Sequence, residues 1–172
     1  MLALLLAFWP LEGGTQSGEE LEAKVKAGFL LNFARYVEWP AGSFTSSNSP
    51  VIIGVLGLDN LGRHLDLTIE GKTIGSHPVQ VKRARRVSEL SDSHVLFVCP
   101  SERDRVRGIV AATSGKPILT VSDMDGFTAA GGMILLKRKQ GTMRFEINRE
   151  AAEKCGVKIS SKLLNLADNY RQ

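Results

Sequence analysis

The stretch that decides the fold is VIIGVLGLDNLGRHLD, residues 51–66. Residues 51–56 are apolar and rich in β-branched side chains, which is how a short buried strand reads. Glycines follow at 57 and 62, and residues 61–67 carry the spacing of a short helix. Strand, glycine turn and helix in succession form the first unit of a layered α/β domain. Gly57 and Gly62 also have the spacing of a phosphate-cradling loop, in which a lysine and a hydroxyl must follow the second glycine. Here Arg63 and His64 follow. An imidazole cannot replace the hydroxyl that holds magnesium. Gly54 and Gly57 are three apart, so the dinucleotide fingerprint fails as well. The glycines read as a tight turn.

The alternation continues downstream. In residues 71–84 the part most suited to pairing is 79–81. HVLFVC (94–99) is a continuous apolar run of the kind buried on both faces. Ser101 is placed to cap a helix through Ala112, with Val106, Ile109 and Val110 on its inner face. PILTV (117–121) is another buried strand, and SDMDGF (122–127) its turn. Residues 133–139 and 142–148 flank Gln140-Gly141, which predicts a hairpin. Asn148 caps a helix over 149–155 that Gly156 stops. After an extended piece at 157–159, Ser160 or Ser161 opens a last helix that turns Leu163, Leu164 and Leu166 inward.

Upstream, Ser17 and Glu20 have the form of a capping box. Leu21, Val25, Phe29, Phe33 and Val37 recur at spacing four and predict one apolar helix face, ended at Trp39-Pro40. Residues 41–50 form a polar loop. The expected fold class is α/β: a single three-layer Rossmann-like domain, with a mostly parallel sheet and an antiparallel hairpin at the edge.

Composition narrows the function. The chain has 172 residues, 43% hydrophobic and 23% charged, with a formal charge of +4. That is enough for one domain with a full core. The basic clusters VKRARR (81–86) and KRK (137–139) contain no aromatic residues, so nucleic-acid binding is not expected. MLALLLAFWPLEGG (1–14) is too short to span a bilayer. Residues 1–16 read as the remnant of a secretory signal peptide, although a basic start and a small-residue cleavage site are missing. The domain is then 17–172, and the expected location is periplasmic. Cys99 and Cys155 leave two readings open, a bridge or two buried thiols.

Candidates for chemistry are few. Asp123 and Asp125 sit at the carboxyl end of a strand, where open α/β sheets bind ligands. With Gly57, Gly62 and Arg63 they form a candidate small-molecule pocket. The calcium-loop pattern is incomplete, and turn chemistry accounts for both aspartates. No nucleophile elbow or zinc motif is present, and His64, His77 and His94 stand in unrelated contexts. His94 reads as a satisfied core histidine. No enzyme, metal or cofactor is expected. Phe29, Phe33, Tyr36 and Trp39 are the aromatic candidates for a partner or dimer surface.

Several stretches together resemble the YfiR/HmsC-like family: KAGFLLNFARYVEWP (26–40), VIIGVLG (51–57), HVLFVCPSE (94–102), PILTVSDMDGF (117–127), GGMILL (131–136), RFEINREAA (144–152) and ISSKLL (159–164). The resemblance implies a non-catalytic periplasmic α/β regulator. It implies docking on the periplasmic sensor part of an inner-membrane diguanylate cyclase, which lowers cyclic-di-GMP signalling and biofilm formation. It also implies sequestration by an outer-membrane lipoprotein, and homodimers. The alternative is a periplasmic small-molecule-sensing binding protein. In one respect the chain departs from the family. Relatives often carry a cysteine in the strand matching 52–57 and another just before 94, whereas Gly54 and Ser93 stand here.

Overall fold

The structure is a computed structural model and describes residues 14–171, with side chains described over 18–168. Most of the signal-like stretch thus lies outside the described residues. Helix α1 (Gly14–Arg35) leads into a two-residue strand β1 (Val37–Glu38). The strand-turn-helix of 51–66 is realised as β2 (Val51–Leu56) and α2 (Arg63–Ile69). A short β3 (Thr73–Ile74) and β4 (His77–Ala84) follow, then β5 (Val95–Val98). A 3-10 segment, Pro100–Arg105, runs into α3 (Val106–Thr113), and β6 (Leu119–Ser122) follows. The hairpin is β7 (Ile134–Lys139) and β8 (Thr142–Asn148). The chain continues through α4 (Arg149–Lys154), β9 (Lys158–Ile159), α5 (Ser161–Leu166) and β10 (Asn169–Arg171).

The main sheet has the order β10-β8-β7-β6-β5-β2-β4-β3, while β1 and β9 form a separate antiparallel pair. Strands β4, β2, β5, β6 and β7 are mutually parallel, and β8 is antiparallel to β7. This is the expected mostly parallel α/β sheet. The hairpin is not its outermost part, because β10 adds a parallel strand outside β8.

Alternation along the strands splits the interior in two. Val95 and Phe97 of β5 face a large core shared with Leu30, Phe33, Leu65, Ala152 and Leu163 from the helices. Leu96 and Val98 face a smaller one with Leu90, Ile109, Met124 and Phe127. Helices cover both faces, giving three layers. Each fully buried large apolar side chain contributes roughly 2 kcal/mol.

Four local expectations are corrected. The apolar stripe at spacing four does not stay on one face of α1: Leu21 is 63% and Val25 37% exposed, while Phe33 is fully buried. A helix advances 3.6 residues per turn, so a strict step of four precesses about 40° each time and winds from solvent into the core. Ser17 lies within α1 rather than capping it, and α1 ends at Arg35, before the extended residues that precede Pro40. Ser101 lies inside the 3-10 segment, where its Oγ accepts from the Leu58 N–H at 2.9 Å. Leu166 is 59% exposed, whereas Leu163 is buried. The other caps are as expected. Asn148 accepts from the Ala151 N–H and Ser160 from the Leu163 N–H.

Candidate functional site

The parallel order β4-β2-β5-β6-β7 places a reversal of strand progression between β2 and β5. In open α/β sheets the ligand crevice lies there, at the carboxyl ends of the strands. Three loops meet at that edge: residues 57–62 after β2, 99–102 after β5 and 123–126 after β6.

Gly57 has φ +101, and a Cβ there would lie 2.5 Å from the Ser101 Oγ and 2.7 Å from the Glu102 Oε1. Only glycine fits such a turn. Glu102 is 4% exposed and paired with Arg105. The turn therefore faces a carboxylate, the wrong charge for a phosphate. This settles the reading of the opening stretch as a structural turn.

The crevice holds a charged side chain of the protein itself. Lys26 of α1 is 6% exposed, and its Nζ lies 2.5 Å from the Asp123 Oδ2 and 2.6 Å from the Glu22 Oε1. Burial pulls the Lys26 ammonium down, but hydrogen bonds and charges from Asp123 and Glu22 outweigh it and hold the lysine above its ordinary value. The Lys26 hydrogen bond, against some burial, holds Glu22 below the usual glutamate value, with the charges of Lys26 and Arg138 assisting. Asn60 donates to the same Asp123 oxygen at 3.3 Å. The other oxygen of Asp123 is buried without a hydrogen-bond partner among the described residues.

Two adjoining clefts flank this cluster. One, of about 520 Å³, is lined by Glu19, Glu22, Ala23, Lys26 and Asn60. The other, of about 310 Å³, includes Asp59, Asn60, Gly62, Arg63 and His64. Gly62 and Arg63 thus line a cleft and Asp123 is paired with Lys26 of the neighbouring one, whereas Gly57 lies against Ser101 and Glu102, and Asp125 is exposed. The one signal for Lys26 in the sequence is its place one turn from Ala23 and Leu30 on the buried face of α1, where an unpaired lysine is not tolerated. Among the described residues no group of three or more His, Cys, Asp or Glu is placed to hold a metal ion.

The aromatic set divides. Phe33 is fully buried and packs with Phe29 and Phe145, ring centroids 5.2–5.7 Å apart. It belongs to the core, and this corrects its assignment to a docking surface. Phe29 is half-buried in the same cluster. Tyr36 and Trp39 are half-buried beyond the end of α1, with the Lys162 ammonium 4.9 Å from the Tyr36 ring centre. Exposed Leu21, Val25 and Leu58 are apolar positions that spacing alone did not reveal. Cys99 and Cys155 are free and buried, so the bridge left open by the sequence is not formed. Burial pushes the Cys99 thiol up to about 12, which removes it as a nucleophile.

Comparison with known proteins follows this geometry. No curated protein sequence matches the chain. A conserved domain protein of Vibrio cholerae is similar in structure, with TM-score 0.57 and 12% identity, over 87% of this chain and 60% of that one. An ABC domain from Streptococcus pneumonia, solved with L-Trp, is similar with TM-score 0.55 and 12% identity, over 84% of this chain and 62% of that one. The chain thus spans about three fifths of the length of both, and at this identity the likeness is one of fold. A family model described as YfiR/HmsC-like matches residues 23–168. That match runs from the buried face of α1 through α5, and the chain belongs to the YfiR/HmsC-like family.

Proposed function

We propose that this protein docks on the periplasmic sensor part of an inner-membrane diguanylate cyclase and represses it, lowering cyclic-di-GMP output and biofilm formation. The family is one of periplasmic, non-catalytic regulators of such cyclases, and the match over 23–168 is the observation that carries the reading. No described helix is long and apolar enough to cross a membrane. The chemistry of the crevice supports docking over turnover. Its central lysine is held by two carboxylates of the same chain, and its cysteine is a buried thiol.

Tyr36 and Trp39 are the proposed anchors for the cyclase, since half-buried aromatic side chains dominate binding energy at protein interfaces. Exposed Leu21 and Val25 provide a second apolar site on α1, suited to a second copy of the chain. An outer-membrane lipoprotein that withdraws the regulator completes the scheme.

The test is genetic and biochemical together. Deleting the gene from its host is expected to raise cyclic-di-GMP, and the wild-type chain to restore it. Tyr36→Ala and Trp39→Ala chains that keep the wild-type circular dichroism spectrum are expected to restore it poorly. Full restoration by both folded variants removes the assigned anchors. An unchanged cyclic-di-GMP level on deletion removes the reading itself.

A further inference from the structure

The loop 41–50, which joins β1 to β2, is held by one ring stack. The Phe44 ring lies flat between two imidazoles, 4.0 Å from the His77 centroid at 20° and 4.6 Å from the His94 centroid at 15°. Trp39 meets His94 edge-on at 5.6 Å. Both histidines also grip loop carbonyls: His94 Nε2 lies 3.1 Å from the Ser43 O, and His77 Nδ1 lies 2.7 Å from the Ser49 O. Ser76 adds a bond from its Oγ to the Ser47 O at 2.6 Å.

The two histidines are not equivalent. The backbone N–H of Ile52, at the start of β2, donates to His94 Nδ1 at 3.2 Å. That nitrogen must therefore be unprotonated, which fixes the neutral tautomer with its proton on Nε2, donated to the Ser43 O. Every hydrogen bond of His94 is satisfied in this one state. A second proton would set an N–H against the Ile52 N–H and leave both donors buried without acceptors. His77 differs, because the bond from its Nδ1–H to the Ser49 O survives protonation.

We propose that His94 is an acid-released latch on the 41–50 loop: its protonation breaks the Ile52 contact, and the ring displacement that separates the two opposed N–H groups frees Phe44 from the stack and uncovers the Trp39 side of the molecule. The charged and titratable groups facing His94 are His77 on β4 and Asp92 in the turn before β5. Asp92 is itself held by Lys82 at 2.9 Å. Burial pulls the His94 imidazolium below its ordinary value of 6.5, the bond to Ser43 opposes this, His77 adds to it and Asp92 counters. The sign follows: the closed loop binds the proton less well than the open one, so closure holds above about pH 6.5 and weakens as the pH falls below it. A periplasmic protein meets such a range, because its compartment follows the external medium.

The test is a pH titration of the isotope-labelled full chain by NMR, from about pH 7.5 to about pH 5.5. The His94 ring, the Ile52 amide and the Phe44 ring protons are expected to shift together with one midpoint below that of a free histidine. Over the same range, amide exchange of residues 43–48, corrected for its intrinsic pH dependence, is expected to accelerate about tenfold. His94→Asn keeps an acceptor for Ile52 and cannot titrate, and is expected to abolish both effects. His77→Gln is expected to leave the linked titration of His94, Ile52 and Phe44 in place. A His94 titration that leaves the Ile52 and Phe44 signals in place overturns the latch. So does exchange at 43–48 that is equal at both ends of the range, which can be read on the wild-type chain even if a variant fails to fold.

Discussion

At Ser93 the chain carries an uncompensated polar atom. Its hydroxyl is buried beside Gly54 and has no hydrogen-bond partner among the described residues. Removing an orphaned hydroxyl relieves a desolvation cost that ranges over about 1–3 kcal/mol. Ser93→Ala is therefore expected to raise the urea midpoint, by about 1 kcal/mol of stability; a clear fall would show that the hydroxyl has a partner in solution. Lys26 is the opposite case. Lys26→Met leaves Asp123 without its ammonium and is expected to cost about 3 kcal/mol by chemical denaturation. The double variant Lys26→Met with Asp123→Leu is expected to recover most of that loss, since the price of the pair lies in the stranded charge. Acid acts on the same cluster. Glu22 is held below 4.5, so its contribution is present above that value and is lost as the pH falls through its depressed range.

Among the elements, β2 and the turn before β5 carry a further consequence. A Cβ built on Gly54 would lie 3.1 Å from the Ser93 Cβ, against the 3.5–4.5 Å usual for a disulfide. A shift of a few tenths of an ångström satisfies the geometry. The paired substitution Gly54→Cys and Ser93→Cys is expected to form a bridge under oxidation and to add about 2 kcal/mol of stability, lost on reduction. Free thiols that persist in air would contradict the adjacency. Gly132 is expected to be intolerant: a Cβ there would fall 2.2 Å from the Phe127 ring, and Gly132→Ala should lower the melting temperature by repacking the smaller core.

The β2–α2 unit, the apolar 94–99 and 117–121 runs, the 142–148 strand and its Asn148 cap were legible because each is encoded locally, by periodicity or by a capping side chain. Strands β1 and β10 were not, and β9 was read only as an extended piece without its partner. They are two or three residues long and exist through pairing with distant segments, such as Val37 with Ile159, which no local pattern announces. The same holds for the site. Asp123 could be named from its place after a strand, but its partner Lys26 lies 97 positions away and reads locally as one polar residue in an amphipathic helix.

For the molecule as a whole, α1 does two things at once. It covers the larger core with Leu30, Phe33 and Ala34, and it sends Lys26 into the strand-end crevice that related architectures leave open for ligands. The protein's remaining resources are surface ones: Tyr36 and Trp39 beyond one end of α1, Leu21 and Val25 near the other, and a loop latched by histidines. Such an inventory suits action by docking, with the free energy of contact as the output. The most direct measurement is sedimentation velocity of the purified chain mixed with the isolated periplasmic domain of the membrane cyclase from the same host. A faster-sedimenting complex is expected for the wild-type chain and a weaker one for folded Trp39→Ala, with added GTP and cyclic-di-GMP left unchanged by the chain alone. Two species that sediment independently at every concentration would contradict the account.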